Sequence, residues 1–176
     1  MIDVILVNEN DQEVGRCEKM LAHEEGLLHR AFSIFLFNSN GEMLLHRRAL
    51  SKYHSGGLWT NACCSHPMPG IPIEYTLQEK LQQEMGLQCP IEFAFSFLYK
   101  AALDNDLTEH ELDHVFIGEF NGLPNPNEEE VADWRYFSIQ EIYKLIETHP
   151  QMFTEWFKIA FPQVVKHTEK NYQWAS

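Results

Sequence analysis

Cys64 and His66 stand two residues apart in the run Asn61-Ala62-Cys63-Cys64-Ser65-His66-Pro67, and Glu109-His110-Glu111 repeats that spacing with two carboxylates. In extended chain, residues i and i+2 project to one face, so each segment can aim two reactive groups into one cavity. That layout suits a metal-dependent acid/base enzyme.

Nine histidines are many for 176 residues, and His23, His29 and His66 lie near polar, turn-like segments that could feed such a cavity. An isolated histidine is ordinarily a surface or core imidazole, and the spacing of His23 and His29 is no helical ligand pair. Taken together, three imidazole nitrogens and the oxygens of Glu109 and Glu111 make a mixed shell that suits manganese, magnesium or zinc. A small buried thiol is an ordinary core group. Beside His66 and a cation, however, Cys64 is expected to exchange a proton near neutral pH, with Cys63 turned into the core. Arg47, Arg48 and Lys52 form the densest basic cluster. Such runs are usually solvated, yet Lys19, Arg48, Lys52 and Lys80 could together offer a cationic mouth for a diphosphate-sized anion. Trp59 and Trp156 read as core aromatics, or as indole faces beside a transient cation.

The elements that must position these groups read as strands at Val4 to Val7, Phe32 to Phe37, Met43 to Leu45, Phe93 to Leu98 and Val115 to Phe120. Asn38-Ser39-Asn40-Gly41 has the chemistry of a hairpin turn between the second and third. A helix is expected from Tyr75 to Met85, stopped by Gly86, with Glu84 on the inward stripe and Lys80 beside it. The segment from Asn121 to Glu130 reads as an exposed loop. Ser138-Ile139-Gln140-Glu141 is a capping box opening a helix to about Glu147, another helix spans Phe153 to Phe161, and the tail from Lys166 to Ser176 is expected to be frayed or weakly docked. Strands and helices without regular alternation predict one α+β domain over residues 1–176, a mixed sheet flanked by helices.

A hydrophobic fraction of 44% with twelve phenylalanines supplies one core, and no apolar run is long enough to span a membrane. A formal charge of −13 argues against nucleic acid or anionic membrane as partner. The start, Met1 to Val7, carries no charged leader, which gives a cytoplasmic expectation. Cys17, Cys63, Cys64 and Cys89 show no disulfide framework, so free thiols are expected.

From Val4 to Phe161 the chain resembles the type 1 isopentenyl diphosphate delta-isomerases, which are built on the Nudix fold. The resemblance is carried by Ala22-His23, His29-Arg30-Ala31-Phe32-Ser33, Arg47-Arg48-Ala49-Leu50-Ser51-Lys52, Leu58-Trp59-Thr60-Asn61, Cys64-Ser65-His66-Pro67, the Nudix-like stretch Gly70 to Gly86, Tyr99-Lys100-Ala101 and Glu109-His110-Glu111. It implies interconversion of isopentenyl and dimethylallyl diphosphates through a tertiary carbocation, with Cys64 and Glu111 as opposed acid/base groups and Tyr99 assisting. It also implies a first metal on His23, His29, His66, Glu109 and Glu111, and a magnesium ion held with help from Glu84. Lys19, Arg48, Lys52 and Lys80 would grip the diphosphate, and Trp156 would face the cation. The implied partner is a small-molecule diphosphate, and the expected state is a monomer or weak homo-oligomer. The chain departs from the family pattern at Ser65, at Glu79-Lys80, where an arginine pair is common, and in a His23 to His29 spacing one residue short.

Two other functions compete. A Nudix pyrophosphohydrolase would need a richer carboxylate cluster than Glu79-Lys80-Leu81-Gln82-Gln83-Glu84 supplies. A metal-stabilised binding module would use the same histidines and glutamates structurally, with Cys64 a spectator.

Overall fold

The run Phe32-Ser33-Ile34-Phe35-Leu36-Phe37 has no polar face, so as a strand it must be covered on both sides. The computed structural model, which describes residues 3–172, buries it so. Along the chain the elements are β1 (Asp3–Val7), β2 (Glu13–Glu18), α1 (Lys19–Glu24), β3 (His29–Phe37), β4 (Met43–Arg48), β5 (Trp59–Thr60), β6 (Cys63–Ser65) and α2 (Ile73–Met85). They continue with β7 (Ile91–Ala102), β8 (Thr108–Glu119), β9 (Val131–Phe137), α3 (Ile139–Thr148) and α4 (Glu155–Asn171).

All nine strands join one mixed sheet centred on β3. β3 runs parallel to β8 and antiparallel to β1, β4 and β6; β7 adds to β8, and β5 and β9 add to β4. Alternate residues of β3 feed two cores. Phe35 and Phe37 pack with Phe153, Phe157 and Phe161 on the α4 side, while Phe32, Ile34 and Leu36 pack with Leu77, Leu81 and Met85 of α2. This is the expected α+β domain with helices flanking a mixed sheet. All four cysteines are free, and no helix among the described residues is long and apolar enough to cross a membrane.

The expected hairpin joins β3 to β4, with Leu36 opposite Leu44. Asn38 Oδ1 accepts the backbone N–H groups of Asn40 and Glu42 at 3.0 and 2.9 Å, and Gly41 takes φ +73°. Gly86 ends α2 at φ +63°, and Ser138 Oγ caps α3 by accepting from the Glu141 N–H at 3.2 Å.

Of the two expectations for the tail, the described residues take the docked one, as a helix. Instead of stopping at Phe161, α4 continues to Asn171 with Val164, Val165 and Thr168 buried. Pro162 lies inside it; proline removes one backbone donor, and the burial of the following turns outweighs that loss. The rest of that tail, residues 173–176, lies outside the described residues. The short helix α1 and the strands β2 and β9 were not anticipated either.

Candidate active site

Strand register decides which side chains meet. Glu111 lies opposite His29 across β3–β8 and opposite Tyr99 across β7–β8, and Cys64 lies opposite Ser33 across β3–β6. Paired residues project to the same face of a sheet. His23 joins them from α1, whose last turn closes with Gly26 at φ +60° and the Leu27 N–H on the Ala22 carbonyl at 2.9 Å, a left-handed stop that leads the chain directly into β3 and His29.

His23, His29, His66 and Glu111 bring one potential ligand atom each to within 4.8 Å of one another. His23 Nδ1 donates to the Lys19 carbonyl at 2.7 Å and His29 Nδ1 to the Leu27 carbonyl at 2.8 Å. With those bonds made by Nδ1, both rings turn Nε2 toward the centre, and His23 Nε2 is buried without a hydrogen-bond partner among the described residues. His29 Nε2 and His66 Nε2 are 3.2 Å apart, and Glu111 Oε1 sits 3.3 and 3.1 Å from them. Lone pairs converging at these distances repel unless a cation or a proton lies among them, so the donor set fits a divalent metal. Burial pushes His23 below its ordinary value and His66 down to about 3, both suited to neutral ligands. Burial also disfavours the charge on His29, but the hydrogen bond and charge of Glu111 outweigh it and raise the group.

Glu109 lies just beside this set. Strand neighbours two residues apart are separated by about 7 Å along the strand, and Glu109 groups instead with His23 and His54. Tyr99 Oη bridges the two carboxylates, 2.6 Å from Glu111 Oε2 and 2.9 Å from Glu109 Oε2. A phenol carries one proton, so only one of those bonds can be its own donation. Burial and the charge of Glu111 push Glu109 well above the usual carboxylate range, while hydrogen bonds from His29 and His66 overcome burial and hold Glu111 well below it.

Cys64 faces the same cavity, while Cys63 packs against α2 with its thiol 3.5 Å from Glu84. Burial, then the charge of Asp113, pushes the Cys64 thiol up to about 12. Its nearest polar neighbours among the described residues are the donor Trp156 Nε1 at 3.1 Å and the acceptor Asn61 Oδ1 at 2.9 Å, and the charge of Arg48 acts in the opposite, lowering direction.

The cavity has a volume of about 370 Å³. Its lining includes all four expected cations, Lys19, Arg48, Lys52 and Lys80, together with Glu84 and Trp156. Burial and then the Glu130 charge raise Glu84. Arg47 is exposed, and Trp59 packs edge-on against Phe137 in the core. Four groups carried no sequence signal. His54 enters from the loop after Lys52, with its ring 5.9 Å from Trp156; Glu130 is ion-paired with Lys52; and Ser33 donates to Asp113 at 2.8 Å behind Cys64. Only the parallel register of β3 and β8 could have revealed the last pair.

Residues 27–157 match the NUDIX domain family. The chain is 47% identical over 154 residues to the isopentenyl-diphosphate Delta-isomerase of Burkholderia multivorans, covering 88% of each, and 44% identical over 164 residues to that of Pectobacterium atrosepticum, covering 93% and 92%. Its fold is similar to a crystal structure from Deinococcus radiodurans (TM-score 0.74, 16% identity, 92% and 98% covered) and to the MutT protein of Methanosarcina mazei (TM-score 0.64, 15% identity, 83% and 96% covered). With these matches the chain belongs to the Nudix family and, within it, to the isopentenyl-diphosphate Delta-isomerases.

Proposed function

We propose that this chain is a cytoplasmic enzyme that interconverts isopentenyl and dimethylallyl diphosphates. The observation that carries the reading is that Cys64, Glu111 and Tyr99 line one cavity with four cationic side chains and the indole of Trp156. Adding a proton to the terminal methylene of the alkene leaves a tertiary cation, and removing one from the carbon nearer the diphosphate gives the isomer. No atom is gained or lost, so no redox cofactor is required.

Lys19, Arg48, Lys52 and Lys80 bind the diphosphate and fix the hydrocarbon between the thiol and the carboxylate. That remote binding supplies orientation for a substrate with no acidic handle. Cys64 serves as one acid/base group and Glu111, oriented by Tyr99, as the other. Trp156 sits over Arg48 at 5.3 Å and beside Cys64, where an indole face can also stabilise the cationic intermediate. His23, His29, His66 and Glu111, with Glu109 close by, would hold manganese, magnesium or zinc, and Glu84 would help hold a diphosphate-bound magnesium. Such cations, when bound, supply fixed positive charge at the carboxylate and at the phosphate oxygens.

The test is incubation with isopentenyl diphosphate and magnesium in heavy water. Deuterated dimethylallyl product is expected from the wild type and none from Cys64→Ala, which keeps its fold and metal content. Neither product nor label from the wild type would overturn the reading.

A further inference from the structure

Asn61 is wholly buried at the turn between β5 and β6, and its amide has only one possible orientation. Nδ2 donates to the Ile34 carbonyl at 3.1 Å and to the Cys63 carbonyl at 2.8 Å, which uses both of its protons. A flipped amide would set its oxygen against two carbonyl oxygens, so Oδ1 must be the atom that faces Cys64. On that oxygen converge the Thr60 hydroxyl at 3.0 Å and the Cys64 sulfur at 2.9 Å. Thr154 Oγ1 donates to Thr60 Oγ1 at 3.1 Å, so the Thr60 proton is free to go to Asn61.

The sulfur is thus held from two sides by opposite partners. The Trp156 indole N–H can only donate, and Asn61 Oδ1 can only accept. Ser33 Oγ, at 3.8 Å, gives its proton to Asp113 at 2.8 Å and offers the sulfur no competing donor at close range. Thr60 Oγ1 lies 3.9 Å from the sulfur, a full ångström farther than Asn61 Oδ1, so the amide oxygen is the nearest acceptor for the thiol hydrogen.

We propose that Asn61 is a positioning residue: its fixed amide oxygen accepts the S–H of Cys64 and sets the direction of the proton that the proposed isomerisation moves. The inference rests on that reading for its catalytic consequence, and its physical core stands without substrate. The side chain of Asn61 is bonded to Thr60, Cys64 and two backbone carbonyls and to none of the cationic side chains or candidate metal-binding histidines, so its loss should affect the proton-transfer step and leave diphosphate binding unchanged.

The S–H stretching band of a thiol is isolated from other protein absorption, and hydrogen bonding moves it to lower frequency. Infrared difference spectra of wild type minus Cys64→Ala assign the Cys64 band. It is expected at the frequency of a hydrogen-bonded thiol, and expected to rise in Asn61→Ala. Kinetics with isopentenyl diphosphate should show kcat lowered by about ten- to 100-fold, with KM and bound metal unchanged. A wild-type band at the free-thiol position overturns the proposal even if Asn61→Ala fails to fold. So does a band unmoved by the substitution, or a KM that changes as much as kcat. A wild type that never converts isopentenyl diphosphate would remove the functional reading, whereas the band would still report on the bond.

Discussion

Replacing Tyr99 with Phe deletes one oxygen and leaves the ring, which is 6% exposed and stacked on Phe97 at 5.5 Å. Packing is therefore preserved, and what disappears is the bridge between Glu109 and Glu111. The bond to Glu111 is 2.6 Å long and runs to an ionised acceptor, the class worth about 1.5–3 kcal/mol. Glu111 keeps its contacts to His29 and His66 through Oε1, so the carboxylate is loosened and not lost. If the loss falls on the transition state, division by about 1.36 kcal/mol per decade gives a fall in kcat of about ten- to 150-fold. The diphosphate grip lies on other residues, so KM should hold within about twofold, the pattern of an interaction made in the reacting complex. Initial rates of dimethylallyl diphosphate formation at saturating magnesium measure both constants. A Tyr99→Phe enzyme whose kcat stays within about threefold of wild type would refute the argument that the phenol positions the reacting carboxylate.

Three further outcomes follow from other parts of the molecule. A Cβ at Gly86 would lie 1.9 Å from the Asn125 carbonyl oxygen, and the backbone N–H groups of Asn125 and Asn127 donate to the Met85 and Glu84 carbonyls. Gly86→Ala should cost about 1 kcal/mol for the left-handed backbone and about 1 kcal/mol for each bond displaced, lowering Tm by about 6–12 °C in calorimetry; a shift under about 2 °C would contradict this. Burial pushes His46 down to about 3. The unfolded chain, with a histidine near its ordinary value of about 6.5, binds the extra proton between these limits, so stability falls as pH drops through that window, by about 2 kcal/mol at pH 5. Urea unfolding of chelator-treated protein at pH 7 and pH 5 should show that loss shrinking in His46→Leu, and an identical pH slope would count against it. Adding manganese or zinc to the same chelated protein at about 100 times the dissociation constant should stabilise it by about 2.7 kcal/mol. His66→Ala should abolish that rise in Tm, and a rise that survives would remove His66 from the ligand set.

What was legible in the sequence was whatever local chemistry decides. Asn38 to Gly41, Gly86 and Ser138 each fix a backbone conformation through their own atoms, and each stands where its residue type required. The strand spacing at Cys64 and Glu111 was legible for the same reason. Elements settled by tertiary burial were not. Lys166 to Asn171 is too polar to announce a helix, yet Val165 and Thr168 dock it, and β2, Glu-Val-Gly-Arg-Cys-Glu, is an edge strand paired only to β1. The supports of the site were hidden by sequence distance. Ser33 and Asp113 are 80 residues apart, and Asn61 reaches Ile34 across 27.

One fold can host many activities, so the fold alone leaves the chemistry open. The side chains narrow it. α2 turns Leu77, Leu81 and Met85 into the core and sends only Lys80 and Glu84 to the cavity. The further acid there, Glu130, is committed to Lys52. A helix that offers one carboxylate cannot build the crowded metal cluster by which a pyrophosphohydrolase activates water. The candidate ligand groups come instead from α1, from β3 and β8 and from the turn after β6, close to the Cys64 thiol and the Trp156 indole, so the ionisable groups that α2 does not supply gather on the other elements around the same cavity.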